Sequence, residues 1–232
     1  MSERDAQKAR AAARAVEEVK SGMVLGLGSG TTVAFVLEAL ATRIKSGLAV
    51  AGVPSSARTA EAARHLGIPL TDFATHRRLD LTIDGADQIA RGSLDLVKGL
   101  GGALLREKMV ALASERMIVV ADESKLVDKL GGATPLPVEI VVFGWELTLD
   151  RLKAMGATPR LRYLQDKPFV TDNGNYIADC SLAAISDPTE LDLGLRSLFG
   201  VVATGLFCGV AAMAVIGTDD GAEILHRKIS PR

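Results

Sequence analysis

Between Met23 and Lys125, short apolar runs alternate with amphipathic stretches, and glycine- or hydroxyl-rich turns follow several of the runs. "MVLGLGSGTTVAFVLEALATRI" reads as strand, glycine turn and helix. "LAVAGVP" is a second apolar strand, followed by "SSARTAEAARHLG", a helix ending at Gly67. "IPLTDF" is short and extended, and "RLDLTIDGADQ" is a strand running into a polar turn. "KGLGGALLREK", Lys98 to Lys108, is a glycine-rich bend opening a helix that runs to about Ser114, and "RMIVVADESK" is another strand with a polar end. Such alternation predicts an α/β fold with a doubly wound, mostly parallel, Rossmann-like sheet. Right-handed crossovers set the C-terminal ends of the strands along one edge, where open sheets bind ligands. Four polar turns fall at that edge: "GLGSGTT", "PSS", "DGADQ" and "ADESK".

After "GGATPLP" the pattern changes. "VEIVVF", "TPRLRYL", "FVTD" and "NYIADC" read as strands, with helices at "GWELTLDRLKAMG" and "PTELDLGLRSLFG". The expectation is a small α+β domain over residues 131–205, set into a Rossmann-like α/β domain made of 1–130 and 206–232. Ser197 to Thr218 carries no charge and is long enough to span a membrane. Its glycines and the absence of a flanking Lys/Arg cluster favour two buried strands, "GVVATGL" and "VAAMAVIG", broken by "FCG". The first twenty residues lack the apolar core of a signal peptide and read as a charged, Ala-rich surface helix.

Apolar residues make up 48% of the 232 and aromatics only 4%, so the core must be aliphatic. A net charge of -1 without blocks of like charge argues against nucleic acid or an acidic membrane as partner. Cys180 and Cys208 are isolated thiols, which suits a reducing cytoplasm. His65, His76 and His226 have no metal-ligand spacing.

In "GLGSGTT", Thr31 stands where a dinucleotide fingerprint needs its last glycine, no Walker lysine follows, and no G-x-S-x-G surrounds Ser29. Two readings remain: a phosphate site built from backbone N–H and hydroxyl donors, or a tight turn capped by Thr31 or Thr32. "DGAD" sets Asp84 and Asp87 just beyond a buried strand. Such a pair can exchange protons, bind sugar hydroxyls or contribute to a metal site, and one of the two can cap an Asx-turn. Lys98 and Lys125 lie at the same edge and can neutralise an anionic ligand or intermediate, although a lone lysine is commonly a solvated charge. Glu107 is either a surface residue between Arg106 and Lys108 or a carboxylate facing that ligand.

Taken with "PLPVE", "TDNGN" and "GVVATGLF", these motifs resemble ribose-5-phosphate isomerase type A in order and approximate spacing over nearly the whole chain. The resemblance implies an aldose–ketose isomerase of the non-oxidative pentose phosphate pathway, interconverting ribose 5-phosphate and ribulose 5-phosphate through an enediolate. It implies a small phosphorylated sugar as ligand, no metal, no organic cofactor, and a homo-oligomer, dimer or tetramer. By this likeness Ser29, Gly30, Thr31 and Thr32 match the phosphate loop, and Asp84, Gly85, Ala86 and Asp87 the substrate-binding turn. Lys98, with the backbone of Gly99, Leu100 and Gly101, matches the oxyanion-stabilising element; Glu107 matches the base and Lys125 a substrate-contacting lysine. One aspartate of the pair would orient hydroxyls and assist ring opening. Lys8 matches an N-terminal lysine near the phosphate only loosely. The chain departs from the family pattern at Gln88, Leu100 and Leu105, and "CGVAAMAV" lacks the usual Arg-Ala-Asp element. Two rivals belong to other classes. A phosphosugar sensor would need no base at Glu107 and usually an attached DNA reader; an acyl-group transferase would use a glutamate nucleophile.

Overall fold

The computed structural model describes residues 2–227. Helix α1 (Glu3–Val16) leads into β1 (Val24–Leu27), α2 (Thr31–Lys45), β2 (Ala51–Pro54) and α3 (Ala57–His65). Next come β3 (Leu79–Gly85), β4 (Gln88–Ala90), β5 (Leu96–Val97), α4 (Leu104–Leu112) and β6 (Ser114–Asp122). They are followed by β7 (Leu126–Val127), β8 (Leu136–Ile140), α5 (Trp145–Ala154), β9 (Thr158–Leu161), β10 (Tyr163–Leu164) and β11 (Lys167–Pro168). The last elements are β12 (Tyr176–Ser181), α6 (Pro188–Arg196), β13 (Val201–Thr204), β14 (Leu206–Phe207), β15 (Ala211–Gly217) and β16 (Ala222–His226).

The central sheet has six strands in the order β16-β15-β6-β3-β1-β2, parallel except for the β15–β16 pair. Its inner strands are apolar because helices cover them. Leu25, Leu27, Leu81, Ile83, Ile118 and Val120 pack with Val33, Val36, Leu37 and Leu40 of α2. The same cluster takes in Ala11, Ala12, Ala15 and Val16, so α1 is not simply a surface helix: its alanine face is core, and its charges ride the other side. Small side chains let it approach closely, and a side chain at Gly217 would meet the backbone of Gln7.

A separate antiparallel sheet runs β13-β8-β12-β9. Val138, Ile140, Ala178 and Cys180 on one of its faces pack with Leu152 of α5 and Leu195 of α6. A third sheet of short strands runs β14-β5-β4-β7, with β4 following the end of β3 and β7 the end of β6. The uncharged stretch from Ser197 therefore supplies three strands rather than two, each in a different sheet. Among the described residues no helix is long and apolar enough to cross a membrane.

Two extended segments depart from expectation. "IPLTDF" makes only an isolated bridge, Leu70 to Gly52. Phe169–Asp172 is irregular rather than a strand. There the Thr171 hydroxyl accepts from the N–H groups of Asn173 and Asn175, and the Thr171 N–H donates to the Asn175 carbonyl, so the chain turns on itself.

Candidate active site

The turn after β1 is shaped by what lies beneath it. A side chain at Gly28 would collide with the Asp84 carboxylate, and Gly30 has φ 101°, a left-handed value that favours glycine. No side chain caps α2, so its first-turn N–H groups and the partial positive charge of the helix end remain available to an anion. Lys8 of α1 reaches the same place, with Nζ donating to Thr31 Oγ1 at 3.4 Å. Ser29 turns the other way. Its hydroxyl lies 2.8 Å from Ser55 Oγ, 2.9 Å from Ser56 Oγ and 3.1 Å from Thr59 Oγ1, a partly buried knot that ties the turn to the start of α3.

β3 delivers "DGAD" with two outcomes. Asp84 is fully buried, accepts from the N–H groups of Ser29 (3.0 Å) and Gly85 (2.7 Å), and pairs through Oδ2 with Lys98 Nζ at 3.0 Å. Asp87 is half-buried and accepts from the Leu100 N–H at 3.0 Å, which braces the glycine bend. Lys98 leaves the end of β5, where its N–H donates to the Gly205 carbonyl, and its ammonium also donates to the Gly85 carbonyl at 2.6 Å.

α4 begins at Leu104 and brings Glu107, only 5% exposed, to within 3.2 Å of Lys98 Nζ through Oε1. Its other oxygen, Oε2, is buried without a hydrogen-bond partner among the described residues. Burial raises the Glu107 pKa to about 8; Lys98 opposes that shift, and the Asp84 and Asp87 charges add to it. For Lys98, burial works against the charge, but Asp84 and Glu107 outweigh it and raise its pKa. The arrangement is one ammonium shared by two buried carboxylates, which suits a proton-exchanging group beside a fixed cation. Among the described residues no three His, Cys, Asp or Glu side chains gather to hold a metal ion.

Lys98, Glu107 and Asp87 line a cavity of about 440 Å³ at the C-terminal edge of the central sheet. A model of the family described as ribose 5-phosphate isomerase A (phosphoriboisomerase A) matches residues 51–221. The chain belongs to the ribose 5-phosphate isomerase A family. It is 49% identical over 227 residues to the ribose-5-phosphate isomerase A of Gloeobacter violaceus, across 98% of this chain and 99% of that relative. A ribose 5-phosphate isomerase structure from Plasmodium falciparum superposes with TM-score 0.92 at 40% identity, covering 97% of this chain and all 100% of the other. A D-ribose-5-phosphate isomerase structure in complex with phospho-erythronic acid gives TM-score 0.94 at 33% identity, over 98% and 100% of the two chains.

Most residues picked out by the likeness to the isomerase A family meet at this cavity. The loop Ser29–Thr32, the turn Gly85–Asp87, Lys98 with Gly99 and Gly101, Glu107 and Lys125 all line it. Asp84 does not, lying beneath as the partner of Lys98. Leu100 does not either; its side chain is exposed, and its backbone is held by Asp87 on one side and Arg162 on the other. Gln88 is buried away from the cavity and closes a reciprocal pair with the backbone of Gly131. Lys8, only loosely matched in sequence, is on the wall, together with Ser56 and Arg58 after β2. Phe169, Val170 and Asp172 complete the wall from the antiparallel side. Among these additions, the sequence signals are the polar "PSS" turn for Ser56, the loose match of Lys8, and "TDNGN" for Asp172; Arg58 carries none, and Phe169 and Val170 read as part of an ordinary strand.

Proposed function

We propose that this site interconverts ribose 5-phosphate and ribulose 5-phosphate by moving a proton between C2 and C1 through an enediolate. The observation that carries this is the buried Lys98–Glu107 contact on a cavity that also holds an uncapped helix start with Lys8 beside it, and Lys125 on its wall. The substrate phosphate binds the Gly30–Thr32 turn with Lys8 and Lys125, and this remote binding energy positions the sugar. Glu107 in its ionised form takes the C2 proton and returns it at C1, its raised pKa favouring retention of the proton between the two steps. Lys98 holds the negative oxygen that forms. The N–H groups of Leu100 and Gly102 are already bonded, to Asp87 and Gly99, so Gly99 and Gly101 are the loop donors that add to it. Ring opening falls to Asp87, which faces the cavity, while Asp84 fixes the ammonium of Lys98.

The phospho-erythronic acid bound by the related isomerase is a phosphorylated sugar acid, the chemistry expected of a ligand for this cavity. A sensor without turnover would have no use for a buried base beside a lysine. Incubating the protein with ribose 5-phosphate and detecting a ketose phosphate tests the reaction; no ketose from correctly folded protein would defeat it.

The protein is further proposed to work as a homo-oligomer in the cytoplasm. Phe143 and Phe199 are 95% and 84% exposed on adjacent loops joined by the Val141 N–H to Gly200 carbonyl bond, and a second copy would cover them. Light scattering on the purified protein, giving the mass of a dimer or tetramer, is the expected result.

A further inference from the structure

Glu139 is a carboxylate in the middle of a β-sheet, with no exposed surface. On β8 its neighbours Val138 and Ile140 face the apolar core under α5 and α6, so Glu139 faces the opposite side. Its pairing partners there, Ile177 and Ala203, pack with Leu104 of α4 and with Phe169. An apolar residue would suit that face. Burying a carboxylate is costly unless its oxygens are hydrogen-bonded or paired. No lysine or arginine pairs with Glu139 among the described residues, and Oε2 has no hydrogen-bond partner there. Its other oxygen, Oε1, accepts from Thr171 Oγ1 (3.0 Å), Asn173 Nδ2 (3.1 Å) and Asn175 Nδ2 (2.9 Å).

Those three donors belong to one strap, Phe169–Asn175, which touches three elements of the cavity. Phe169 packs on Gly102 of the glycine bend, where a Cβ would strike its ring. Asp172 Oδ2 accepts from the N–H of Ala57, the first residue of α3, at 2.7 Å. Arg106, the residue before Glu107, donates to Asn173 Oδ1 (2.8 Å) and to the Asp172 carbonyl (2.7 Å). Phe169, Val170 and Asp172 thus wall the cavity, and Glu139 is the buried post to which the strap is tied.

We propose that Glu139 is a positioning residue for the isomerisation, holding the strap Phe169–Asn175 as the wall that keeps water from Glu107 and the sugar. This rests on the isomerase function given above. Glu139 does not line the cavity, so it acts only through the strap. The charged groups acting on Glu107 are Lys98, Asp84 and Asp87, none of them on the strap, and the strap's own Asp172 is paired with Arg106. Loosening the strap therefore changes the wetness of the cavity while leaving the ion triad in place.

The test compares wild type with Glu139→Ala, Glu139→Gln and Thr171→Val for kcat, KM, the pH profile of kcat/KM, and retention at C1 of a tritium label carried at C2. In Glu139→Ala, KM for ribose 5-phosphate should rise roughly tenfold or more through lost positioning. The acid limb of kcat/KM should move to lower pH as Glu107 becomes hydrated, and more label should be lost to solvent. Glu139→Gln, which keeps a carbonyl acceptor, should restore most of each property, and Thr171→Val should shift them in the same direction as Glu139→Ala but less. A folded Glu139→Ala with wild-type KM, acid limb and label retention would overturn the proposal. If that variant does not fold, Thr171→Val decides, and no change in any of the three readouts counts against the strap. Wild-type protein that fails to isomerise would remove the isomerase function itself, and the positioning role with it.

Discussion

Lys98 Nζ lies 3.2 Å from Glu107 Oε1, with both side chains almost wholly buried. A base held this close to a fixed cation can give up its proton without a large rearrangement, and the same cation waits for the oxygen that becomes negative.

Glu107→Gln keeps the shape of the side chain and removes proton transfer. The loss in kcat should be roughly 10²–10⁴, the usual worth of a positioned general base. Ribose 5-phosphate should still bind, because the phosphate turn is untouched. In deuterated water the wild type should place deuterium at C1 of ribulose 5-phosphate, at least in part, and the variant should not. A folded Glu107→Gln with near-wild-type kcat would transfer the role to Asp87.

The raised pKa of Glu107 ties stability to pH. A carboxyl that binds its proton more tightly folded than unfolded stabilises the protein fully below the unfolded value, near 4.5, and that contribution fades as pH rises toward about 8. Glu107→Gln should therefore gain stability relative to wild type as pH climbs through this window. Urea denaturation at several pH values measures it, and a difference that stays flat across the window would speak against a raised pKa.

Removing Lys98 strands two buried carboxylates. Lys98→Met should lose about 3–5 kcal/mol of stability, the cost of breaking a buried ion pair on one side. Adding Asp84→Asn should recover part of that stability without recovering turnover. Chemical denaturation and kcat, measured on both variants, separate the two effects.

The hydroxyl loop should divide by residue. Thr32→Ala should raise KM, by roughly the 1.5–3 kcal/mol of a hydrogen bond to a charged group. Ser29→Ala should instead lower stability by about 1 kcal/mol with little change in KM, because its hydroxyl is spent on Ser55, Ser56 and Thr59. A large KM change for Ser29→Ala would mean that its hydroxyl turns to the phosphate.

The parallel sheet and its polar edge were legible because buried strands and amphipathic helices carry their periods in the sequence. "DGAD" and the lysine-glycine bend marked the place of the site, while the role of each residue came only from the likeness to the isomerase A family. That Asp84 sits beneath the cavity while Asp87 faces it was not legible, since three residues of separation across a strand end do not fix which carboxylate faces solvent. β4, β5 and β7 are two or three residues long and too short to show any period. The strap was misread because Phe169 and Val170 look like strand residues. Its shape depends on Thr171 and on Glu139, which lies more than thirty positions from each of Thr171, Asn173 and Asn175.

The strand order also bears on biosynthesis. β6 lies between β3 and β15, and β15 is among the last parts of the sheet to be translated. Until residues 211–217 leave the ribosome, the nine-residue, largely buried β6 has one unpaired side, a ready template for another nascent chain. Pairing with β15 closes that side, and β16 then pairs along the outer side of β15, so the exposed edge moves outward strand by strand until residues 222–226 are in place.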